Sequence, residues 1–411
     1  MTHEPPDSIV LAARRRQFPL GASVSLAMLE DAPYTHLATL QRQEPISWID
    51  SLGLWVVSRH ADVREILLDH DRFGTGAPTS PVRMTFGTQM LSVDGDLHSR
   101  YRQAAQSAFR PATLKARLEL AIRAAARGLI DEWRAVPRVD LRRCFAARLP
   151  VSTMLALAGL PAAAEAPMRD WYEIFATALA SYQPTAALRA QAAQAVSELH
   201  TYLQDAIRKV RAEDPGNLLQ DLVMATGADR LSDEEICRNL SIIFFGGIST
   251  VEAVILNTLW ALAQNPALYE RVSAEPALIA RAVDESIRWL SPVQSATRKV
   301  LVDCEFHGTA FRAGEVVNCM LGAANRDPAV FVHPDRYDID RPDLSRHLAF
   351  ATGGHACLGF QLARMEARIA LEELLVGLPG LQVDLATSSA PRGAEFHQCD
   401  SLTVVLNTAP P

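Results

Sequence analysis

The chain has 411 residues, of which 49% are hydrophobic and 21% charged, and its formal net charge is −7. This composition is typical of a globular protein and excludes a disordered, collagen-like or disulfide-stabilised chain. The negative charge argues against a general nucleic-acid-binding protein, which needs a basic surface.

The first distinctive segment is residues 14–20, where three consecutive arginines faintly resemble a twin-arginine export signal. The apolar stretch after it is short, ends at Glu30 and lacks a small-residue cleavage site. No stretch elsewhere approaches the ~18–20 uninterrupted apolar residues of a membrane span. We therefore expect a cytoplasmic protein without a membrane anchor.

A single domain is expected over residues 1–411, because no repeat, low-complexity linker or shift in composition divides the chain. Residues 45–57 have the pattern of strand, turn and strand, with the turn at 50–53. This pattern predicts a β-hairpin near the N-terminus.

Helices are predicted through the middle of the chain, where apolar residues recur at helical spacing over 112–134, 164–180 and 186–209. Short β-branched runs return at 298–302, 315–317 and 402–406. The predicted fold class is therefore mostly α with small accessory β-sheets.

One long helix is predicted over 233–264, because Ser232 and Glu235 have the spacing of a capping box and no proline occurs before Pro266. At 1.5 Å per residue this helix would span roughly 48 Å. Its centre, residues 242–247, is apolar on all sides, which predicts a buried helix in the middle of the domain.

Gly246 and Gly247 interrupt that helix, although each glycine costs about 1 kcal/mol relative to alanine. Thr250 lies on the same face, so the three residues would form a notch beside a hydroxyl group, where a ligand could enter. The alternative is close packing of two helices, with Thr250 bonded to its own i−4 carbonyl.

Cys357 stands in a glycine-rich loop, F-x-x-G-x-x-x-C-x-G, that runs from Phe350 to Gly359 and precedes a strongly helical segment. A helix start favours a thiolate, and glycines allow the backbone to approach a large flat group. The six cysteines contain no C-x-x-C pair, so neither a zinc site nor a disulfide framework is indicated. The alternative is an inert, buried cysteine.

Glu285 and Arg288 form an E-x-x-R pair near the end of a predicted helix. Such pairs are usually solvated, but the apolar residues around this one indicate burial, which would require further partners for both charges.

Together these segments closely resemble the cytochrome P450 family of haem-thiolate monooxygenases. The E-x-x-R pair, the segment 331–337 and the loop 350–359 follow the Gly-Gly-x-x-Thr helix in the family's order. The resemblance covers essentially the whole chain. It implies the cytochrome P450 fold with a long central helix over the haem, haem b as cofactor, and insertion of one oxygen atom from O₂ into an organic substrate.

The resemblance also implies roles for individual residues. Cys357 matches the thiolate that binds the haem iron, in the loop that Phe350 and Gly359 delimit. The positions that bind the haem propionates match His98, Arg102, Arg298 and His355. A structural ion network behind the haem matches Glu285, Arg288 and Arg336.

Gly246, Gly247 and Thr250 match the oxygen-activating part of the distal helix. The family usually has an acidic residue directly before this threonine, and here Ser249 occupies that position, so the usual proton-relay group is missing. Glu252 is expected to point about 200° around the helix, away from Thr250. This leaves water, substrate or Ser249 itself as the relay. A second departure is Ala351 in place of the usual glycine, a change that we expect to matter less.

The family's substrate-pocket positions are mostly apolar here, and they imply a small or medium, mainly apolar organic substrate. Besides the distal-helix residues, these positions are Met90, Leu91, Ile243, Val293, Gln294 and Leu402.

Electrons are expected from a separate ferredoxin with its reductase or from a flavodoxin, because the sequence has neither a flavin-type glycine motif nor iron–sulfur cysteine spacing. Basic residues cluster in the segment that lies on the proximal face in this family, and they are a candidate landing site for an acidic partner. They are Arg100, Arg102, Arg110, Lys115 and Arg117. The alternative is a solvated helix face.

Two other functions stay open at this point. One is a peroxide-driven haem-thiolate catalyst, which Ser249 suggests. The other is a non-enzymatic haem-thiolate protein that binds ligands or senses gas or redox state.

Overall fold

Helices make up most of the chain, and the strands between them are short. The structure is a computed structural model that describes residues 8–77, 80–181, 184–210, 216–227 and 230–406. In chain order the α-helices are α1 (Ser8–Gln17), α2 (Pro19–Ser23), α3 (Leu26–Asp31), α4 (Pro33–Gln43), α5 (His60–Leu68), α6 (Pro81–Phe86), α7 (Gly95–Gln106), α8 (Pro111–Trp133), α9 (Leu149–Ala158), α10 (Glu165–Ala180), α11 (Ala186–Lys209), α12 (Leu218–Val223), α13 (Asp233–Ala263), α14 (Pro266–Ala274), α15 (Ile279–Trp289), α16 (Leu321–Ala324) and α17 (Phe360–Leu371). The strands are β1 (Ile46–Ile49), β2 (Leu54–Val57), β3 (Phe73–Gly74), β4 (Arg138–Asp140), β5 (Ser295–Val300), β6 (Cys304–Phe306), β7 (Thr309–Phe311), β8 (Val316–Met320), β9 (Leu381–Val383) and β10 (Thr403–Leu406).

The long helix expected over 233–264 is α13, which has 31 residues. The Ser232 hydroxyl accepts a hydrogen bond from the Glu235 N–H at 3.2 Å, and the Glu235 carboxylate accepts one from the Ser232 N–H at 2.9 Å, which completes the capping box. α13 contacts α9, α11, α15 and α17. It is long and apolar enough to cross a membrane, but 83% of its most apolar window is buried inside the protein, as expected of a core helix.

The hairpin expected over 45–57 is formed by β1 and β2, with Ile49 opposite Leu54. Gly53 has φ +66° in the turn between them, a conformation that glycine adopts at little cost. β2 then pairs in parallel with β8, and the resulting five-stranded sheet has the order β1-β2-β8-β5-β3. Smaller sheets have the order β4-β10-β9 and β6-β7.

The arginine run near the N-terminus belongs to α1, where Arg14 is buried. The Arg14 guanidinium lies 4.2 Å from the Trp48 ring centroid and 4.9 Å from that of Trp55, and it forms an ion pair with Glu315. Arg14 therefore joins α1 to the five-stranded sheet through cation–π contacts and a salt bridge.

Two hydrophobic cores meet at the loop 350–359. Phe350 and Leu358 pack against the helical core that surrounds α13, whereas Ala351 packs against the core of the five-stranded sheet. These contacts hold the loop at the junction of the helical and sheet regions of one domain. Residues 1–7 and 407–411, at the two ends of the expected domain, lie outside the described residues.

Candidate active site

The loop that carries Cys357 is closed by backbone contacts. The Cys357 N–H donates to the Phe350 carbonyl at 2.9 Å. The Gly359 N–H lies at the Cys357 sulfur and lowers the pKa of its thiol, but burial has the larger effect and raises that pKa overall. α17 begins at the next residue, Phe360. The turn thus presents a sulfur with an N–H donor beside it at the start of a helix.

Ala351 has φ +54° in this loop, which is the left-handed region that favours glycine. A residue with a Cβ atom is less stable there by roughly 1–2 kcal/mol. This conformation explains why glycine is usual at the position. The change to alanine therefore affects the backbone as well as the side-chain volume.

Cys357 differs from the other cysteines in its surroundings. It is the one exposed cysteine of the six, although dense protein surrounds it and burial raises the pKa of its thiol. An exposed atom deep inside a protein borders an internal cleft. By contrast, burial raises the pKa of the Cys319 and Cys399 thiols to about 12, and both residues are fully packed. Cys357 therefore has the room for a ligand that these packed cysteines lack.

A cluster of basic groups lies around Asp94, which pairs with His355 at 2.9 Å. The His98 ring centroid is 4.0 Å from that of His355, and burial lowers the pKa of His98 to about 4. Burial also lowers the pKa of Arg298, and the nearby Asp94 carboxylate acts in the opposite direction with a smaller effect. Desolvation lowers the pKa of the half-buried Arg102 too, and the nearby Cys357 raises it. The structure thus brings all four expected propionate-binding residues to one place beside Cys357.

Arg298 has too few partners for a buried cation. Its Nη1 donates to the Thr297 carbonyl at 3.0 Å, but its Nε and Nη2 have no hydrogen-bond partner among the described residues. A buried guanidinium with two free donors is unfavourable unless an anion reaches it. Haem carries two propionate carboxylates, which Arg298 could bind, and an iron atom, which the Cys357 sulfur could bind. The residues present therefore fit haem.

The two glycines of α13 have different surroundings. A Cβ atom on Gly246 would meet no atom within 4 Å, so this position faces open space, whereas one on Gly247 would lie 2.5 Å from the Met154 sulfur of α9. Thr250 donates to the Gly246 carbonyl at 2.8 Å, the i−4 bond considered above. Gly246 and Thr250 therefore form the open notch. The assignment of Gly247 to the catalytic notch was wrong. The missing side chain of Gly247 instead allows α9 to pack closely against α13.

Two neighbours of Thr250 on α13, Ser249 and Glu252, are buried. The Ser249 hydroxyl has no hydrogen-bond partner in the part of the chain that the structure describes. Glu252 is 2% exposed and pairs with Arg142 at 2.6 Å, which agrees with the expected direction away from Thr250.

The E-x-x-R pair is fully buried. Glu285 accepts two hydrogen bonds from Arg288 at 2.8 Å and a third from Arg341 at 3.0 Å. The expected third member, Arg336, was wrong: its side chain is exposed, and only its backbone carbonyl enters the network, as an acceptor for both arginines. The chain turns after Arg336 and brings Arg341 to Glu285. No spacing rule in the sequence distinguishes the two arginines.

The structure supports some of the expected substrate-pocket residues and contradicts others. The Met90 N–H donates to the Asn239 side chain at 2.9 Å, which ties residues 90 and 91 to α13 near Ile243. Gln294 was assigned to the pocket wrongly, since it is fully buried and donates to the Ser291 carbonyl and the Tyr34 hydroxyl.

Leu402 was also a wrong assignment, because it is fully buried and its carbonyl accepts from the Leu141 N–H at 2.8 Å. Phe396 is the residue that the sequence analysis missed. Its backbone bridges to Val293, and its ring centroid lies 5.7 Å from that of Phe245, the residue before Gly246. This contact joins segments about 100 and 150 residues apart and leaves no local signal in the sequence.

The basic segment around α7 and α8 is only partly free. Arg110 and Lys115 are exposed, and Lys115 lines a shallow groove with Gln361 and Met365 of α17. Arg100 instead pairs with Glu235 in the capping box of α13, and Arg117 pairs with Asp221 at 2.9 Å. The expected five-residue patch is therefore reduced to Arg110 and Lys115, with Arg102 turned inward.

Comparison with known proteins agrees with this geometry. The model of the cytochrome P450 family matches residues 150–377. The cytochrome P450 monooxygenase PikC of Streptomyces venezuelae is 32% identical, over 86% of this chain and 86% of its own length. Vitamin D(3) 25-hydroxylase of Pseudonocardia autotrophica is 32% identical, over 85% of this chain and 87% of its own length.

Solved structures agree with the fold. CalO2 has a TM-score of 0.86 at 29% identity, over 93% of this chain and 99% of that chain. CYP109E1 of Bacillus megaterium, solved with testosterone, has a TM-score of 0.82 at 27% identity, over 92% of this chain and 99% of that chain. Because the family model matches more than half of the chain and relatives above 30% identity span most of it, this protein belongs to the cytochrome P450 family of haem b-dependent monooxygenases.

Proposed function

We propose that the protein inserts one oxygen atom from O₂ into a small or medium, mainly apolar organic substrate, with electrons from a separate ferredoxin or flavodoxin system. The observation that carries the proposal is the open face of Gly246, which follows the aromatic Phe245 in the chain and whose carbonyl accepts a hydrogen bond from the Thr250 hydroxyl. An apolar wall beside a single hydroxyl suits a substrate that is held by its shape and surface and not by a charged clamp.

In this proposal Cys357 binds the haem iron, and His98, Arg102 and Arg298 bind the propionates, with His355 held by Asp94 at the edge of the same cluster. Haem, when bound there, supplies the activation of O₂ and the transfer of an oxygen atom. The two free donors of Arg298 support its part. Glu285, Arg288 and Arg341 hold the surrounding backbone.

Thr250 presents a hydrogen-bond acceptor at the cleft. Its hydroxyl donates to the Gly246 carbonyl at 2.8 Å, so the lone pairs of Oγ1 stay free to accept a hydrogen bond from water or substrate. The overall reaction consumes O₂, two electrons and two protons, and yields the hydroxylated product and water. The protein must therefore guide protons to this notch as well as hold the substrate.

A cluster of aromatic rings next to Gly246 supports the proposed substrate class. Phe245 contacts Phe396, Phe86 and Tyr172 through their rings, with centroid distances of 5.7, 5.8 and 6.0 Å. Aromatic faces bind apolar and planar groups well. A relative named as a vitamin D(3) hydroxylase and another solved with testosterone are consistent with an apolar substrate. We also propose a cytoplasmic location, as expected from the sequence.

The proposal is tested with the purified haem protein in two steps. A library of apolar compounds is first screened for a low- to high-spin shift of the haem spectrum, and each binder is then incubated with ferredoxin, reductase, NAD(P)H and O₂. We expect at least one binder to yield a product with one added oxygen atom. Product formed only with H₂O₂ would favour the peroxide-driven alternative, and binding without any product would favour a sensor.

A further inference from the structure

Two hydroxyl groups, that of Ser249 on α13 and that of Tyr172 on α10, are buried where these two helices meet. Ser249 is 7% exposed and Tyr172 is 5% exposed, and neither hydroxyl has a hydrogen-bond partner in bonding geometry. Burial raises the pKa of the Tyr172 phenol, the nearby Glu252 raises it further, and the Ser249 hydroxyl lowers it. Phe245, Ser249 and Glu252 lie at i, i+4 and i+7 on one face of α13, and the Tyr172 ring of α10 stacks on Phe245, so the Tyr172 hydroxyl lies beside this face. Buried polar groups are rarely left unsatisfied, so this gap requires an explanation.

The tyrosine ring is held in place while its hydroxyl remains free to turn. The Tyr172 ring stacks on Phe245, with centroids 6.0 Å apart and an angle of 30° between the planes. A fixed ring places Oη at one point, and rotation about the C–O bond then selects which neighbour the proton faces. Such a hydroxyl can donate to Ser249 and accept from Glu252 in turn.

Glu252 connects this pair of hydroxyls to the protein surface. Its side chain is 2% exposed, whereas that of its ion-pair partner Arg142 is 31% exposed. Burial raises the pKa of Glu252, although Arg142 acts in the opposite direction. Arg142 is the first residue of a π-helical turn, Arg142–Ala146, and such turns are frequent at functional sites. Polar groups thus continue from solvent to the residue directly before Thr250.

We propose that Glu252, Tyr172 and Ser249 form a proton path that replaces the carboxylate missing at position 249. The proposal rests on the proposed monooxygenation, which consumes two protons per turnover. Tyr172 Oη takes a proton from the Glu252 carboxyl group and gives its own proton to Ser249 Oγ. Ser249 passes its proton to Thr250 Oγ1 or to water beside it, and Glu252 regains a proton from solvent at Arg142. Only O–H bonds break and form, and nothing is oxidised or reduced.

Single-group variants test the path. Tyr172→Phe and Ser249→Ala each remove one hydroxyl, whereas Ser249→Thr keeps it. We expect the first two to lower product formed per NAD(P)H by about 10-fold, as is typical of a lost proton-transfer group, and to raise H₂O₂ release. Ser249→Thr should retain most of the coupling. The control Tyr269→Phe removes a half-buried phenol of α14 that donates to the Leu381 carbonyl at 2.8 Å, and it should leave coupling unchanged.

A second measurement does not depend on turnover. In the ferric protein with isotope-labelled tyrosine, the infrared C–O band that disappears in Tyr172→Phe belongs to Tyr172. If its hydroxyl meets Ser249 and Glu252, that band should shift in Ser249→Ala and in Glu252→Gln. It should not shift in Thr258→Ala, which removes a buried α13 hydroxyl bonded to the Val254 carbonyl.

The outcomes separate the two proposals. A wild-type protein that binds substrates but forms no product overturns the proposed function and the path with it. A productive wild type whose Tyr172→Phe and Ser249→Ala variants keep full coupling overturns the path alone. A Tyr172 band that is unaffected by both Ser249→Ala and Glu252→Gln overturns the path as well, because its members would then not be in contact.

Discussion

Glu366 lies on α17, nine residues beyond Cys357, and its carboxyl group is fully buried. One oxygen accepts a hydrogen bond from the Thr153 hydroxyl at 2.9 Å, and the other has no partner. Burial raises the pKa of Glu366 to about 8, because one neutral donor cannot compensate a buried carboxylate. The folded protein therefore holds this side chain as a neutral acid near pH 7.

This proton makes stability depend on pH. The ordinary pKa of glutamate is 4.5 and the folded value is about 8, so the folded state binds the proton more tightly. Its contribution is fully present below the ordinary value and is lost as pH rises towards the folded value. Glu366→Gln cannot ionise and keeps an acceptor for Thr153. We expect the free energy of unfolding of the variant to rise by about 4 kcal/mol relative to that of wild type between pH 5 and 8.5.

The measurement is urea unfolding of both proteins at several pH values. Glu270→Gln, an exposed glutamate of α14, serves as the control and should show the same pH dependence as wild type. Parallel curves for Glu366→Gln and wild type would contradict a neutral Glu366.

Cys357 gives the sharpest test at a single residue. Cys357→Ser replaces the proposed thiolate by a hydroxyl that is neutral at pH 7 and binds iron poorly. We expect the reduced CO complex to lose its red-shifted Soret band, measured by difference spectroscopy. Cys144→Ser, at a partly buried cysteine whose thiol pKa burial raises to about 12, should keep the band. A red-shifted band in Cys357→Ser would assign the ligand to another cysteine.

At the scale of elements, α15 is attached to the segment 331–343 through one carboxylate. Glu285 carries the charge that balances Arg288 and Arg341, and all three side chains are buried. Glu285→Ala leaves the buried Arg288 without a carboxylate partner and Arg341 with only Asp343, at 3.3 Å, a change that costs roughly 3–5 kcal/mol. We expect little soluble haem protein, measured as haem absorbance per total protein.

The two arginines give a matched comparison. Arg341→Ala removes a buried partner of Glu285 and should also lower haem incorporation strongly. Arg336→Ala removes only an exposed side chain and should change stability by about 0.5 kcal/mol or less. Equal effects of the two substitutions would contradict the network described here.

Elements with a strong local pattern could be predicted from the sequence. The capping box and unbroken apolar centre predicted α13, and helical spacing over 112–134 and 186–209 predicted α8 and α11. The five-stranded sheet could not be predicted, because β2 and β8 pair in parallel across about 260 residues and β3 has two residues. Short strands are determined by their neighbours more than by their own residues.

The same distinction applies to the site. Cys357 and the propionate-binding candidates belong to local motifs, and the structure brings them together. Three features depend on contacts between distant segments and leave no local signal in the sequence. They are the roles of Arg341 and Phe396 and the ion pair of Arg100 with Glu235. Ser249 was noticed only as a departure from a motif, and its neighbour Tyr172 came from α10, which the motif does not include.

At the scale of the whole molecule, the charge distribution bears on the choice of redox partner. The net charge of −7 would repel an acidic ferredoxin at long range. Arg110 and Lys115 are exposed near the thiolate loop: a Cβ atom on Gly359 would lie 3.8 Å from the ring of Phe109, the residue before Arg110. A small basic area on an acidic protein can orient an acidic partner at the place where the electron path to Cys357 is short.

The double variant Arg110→Glu, Lys115→Glu tests this surface. Attraction between exposed charges is screened over roughly 8–10 Å at 0.10–0.15 M salt, so reduction of the wild type by an acidic ferredoxin should slow as salt increases. In the variant we expect reduction about 10-fold slower at low salt and a nearly flat salt dependence, measured by stopped-flow spectroscopy.

Arg100→Glu is unsuitable, because that side chain pairs with Glu235 and its loss would disturb the start of α13. Arg16→Glu changes the charge by the same amount per site at an exposed position of α1 and should leave the rate unchanged. Substrate-induced spin shifts should be identical in wild type, the double variant and Arg16→Glu, since all three substituted residues are exposed at the surface. A double variant that is reduced as fast as wild type at every salt concentration would place the docking surface elsewhere.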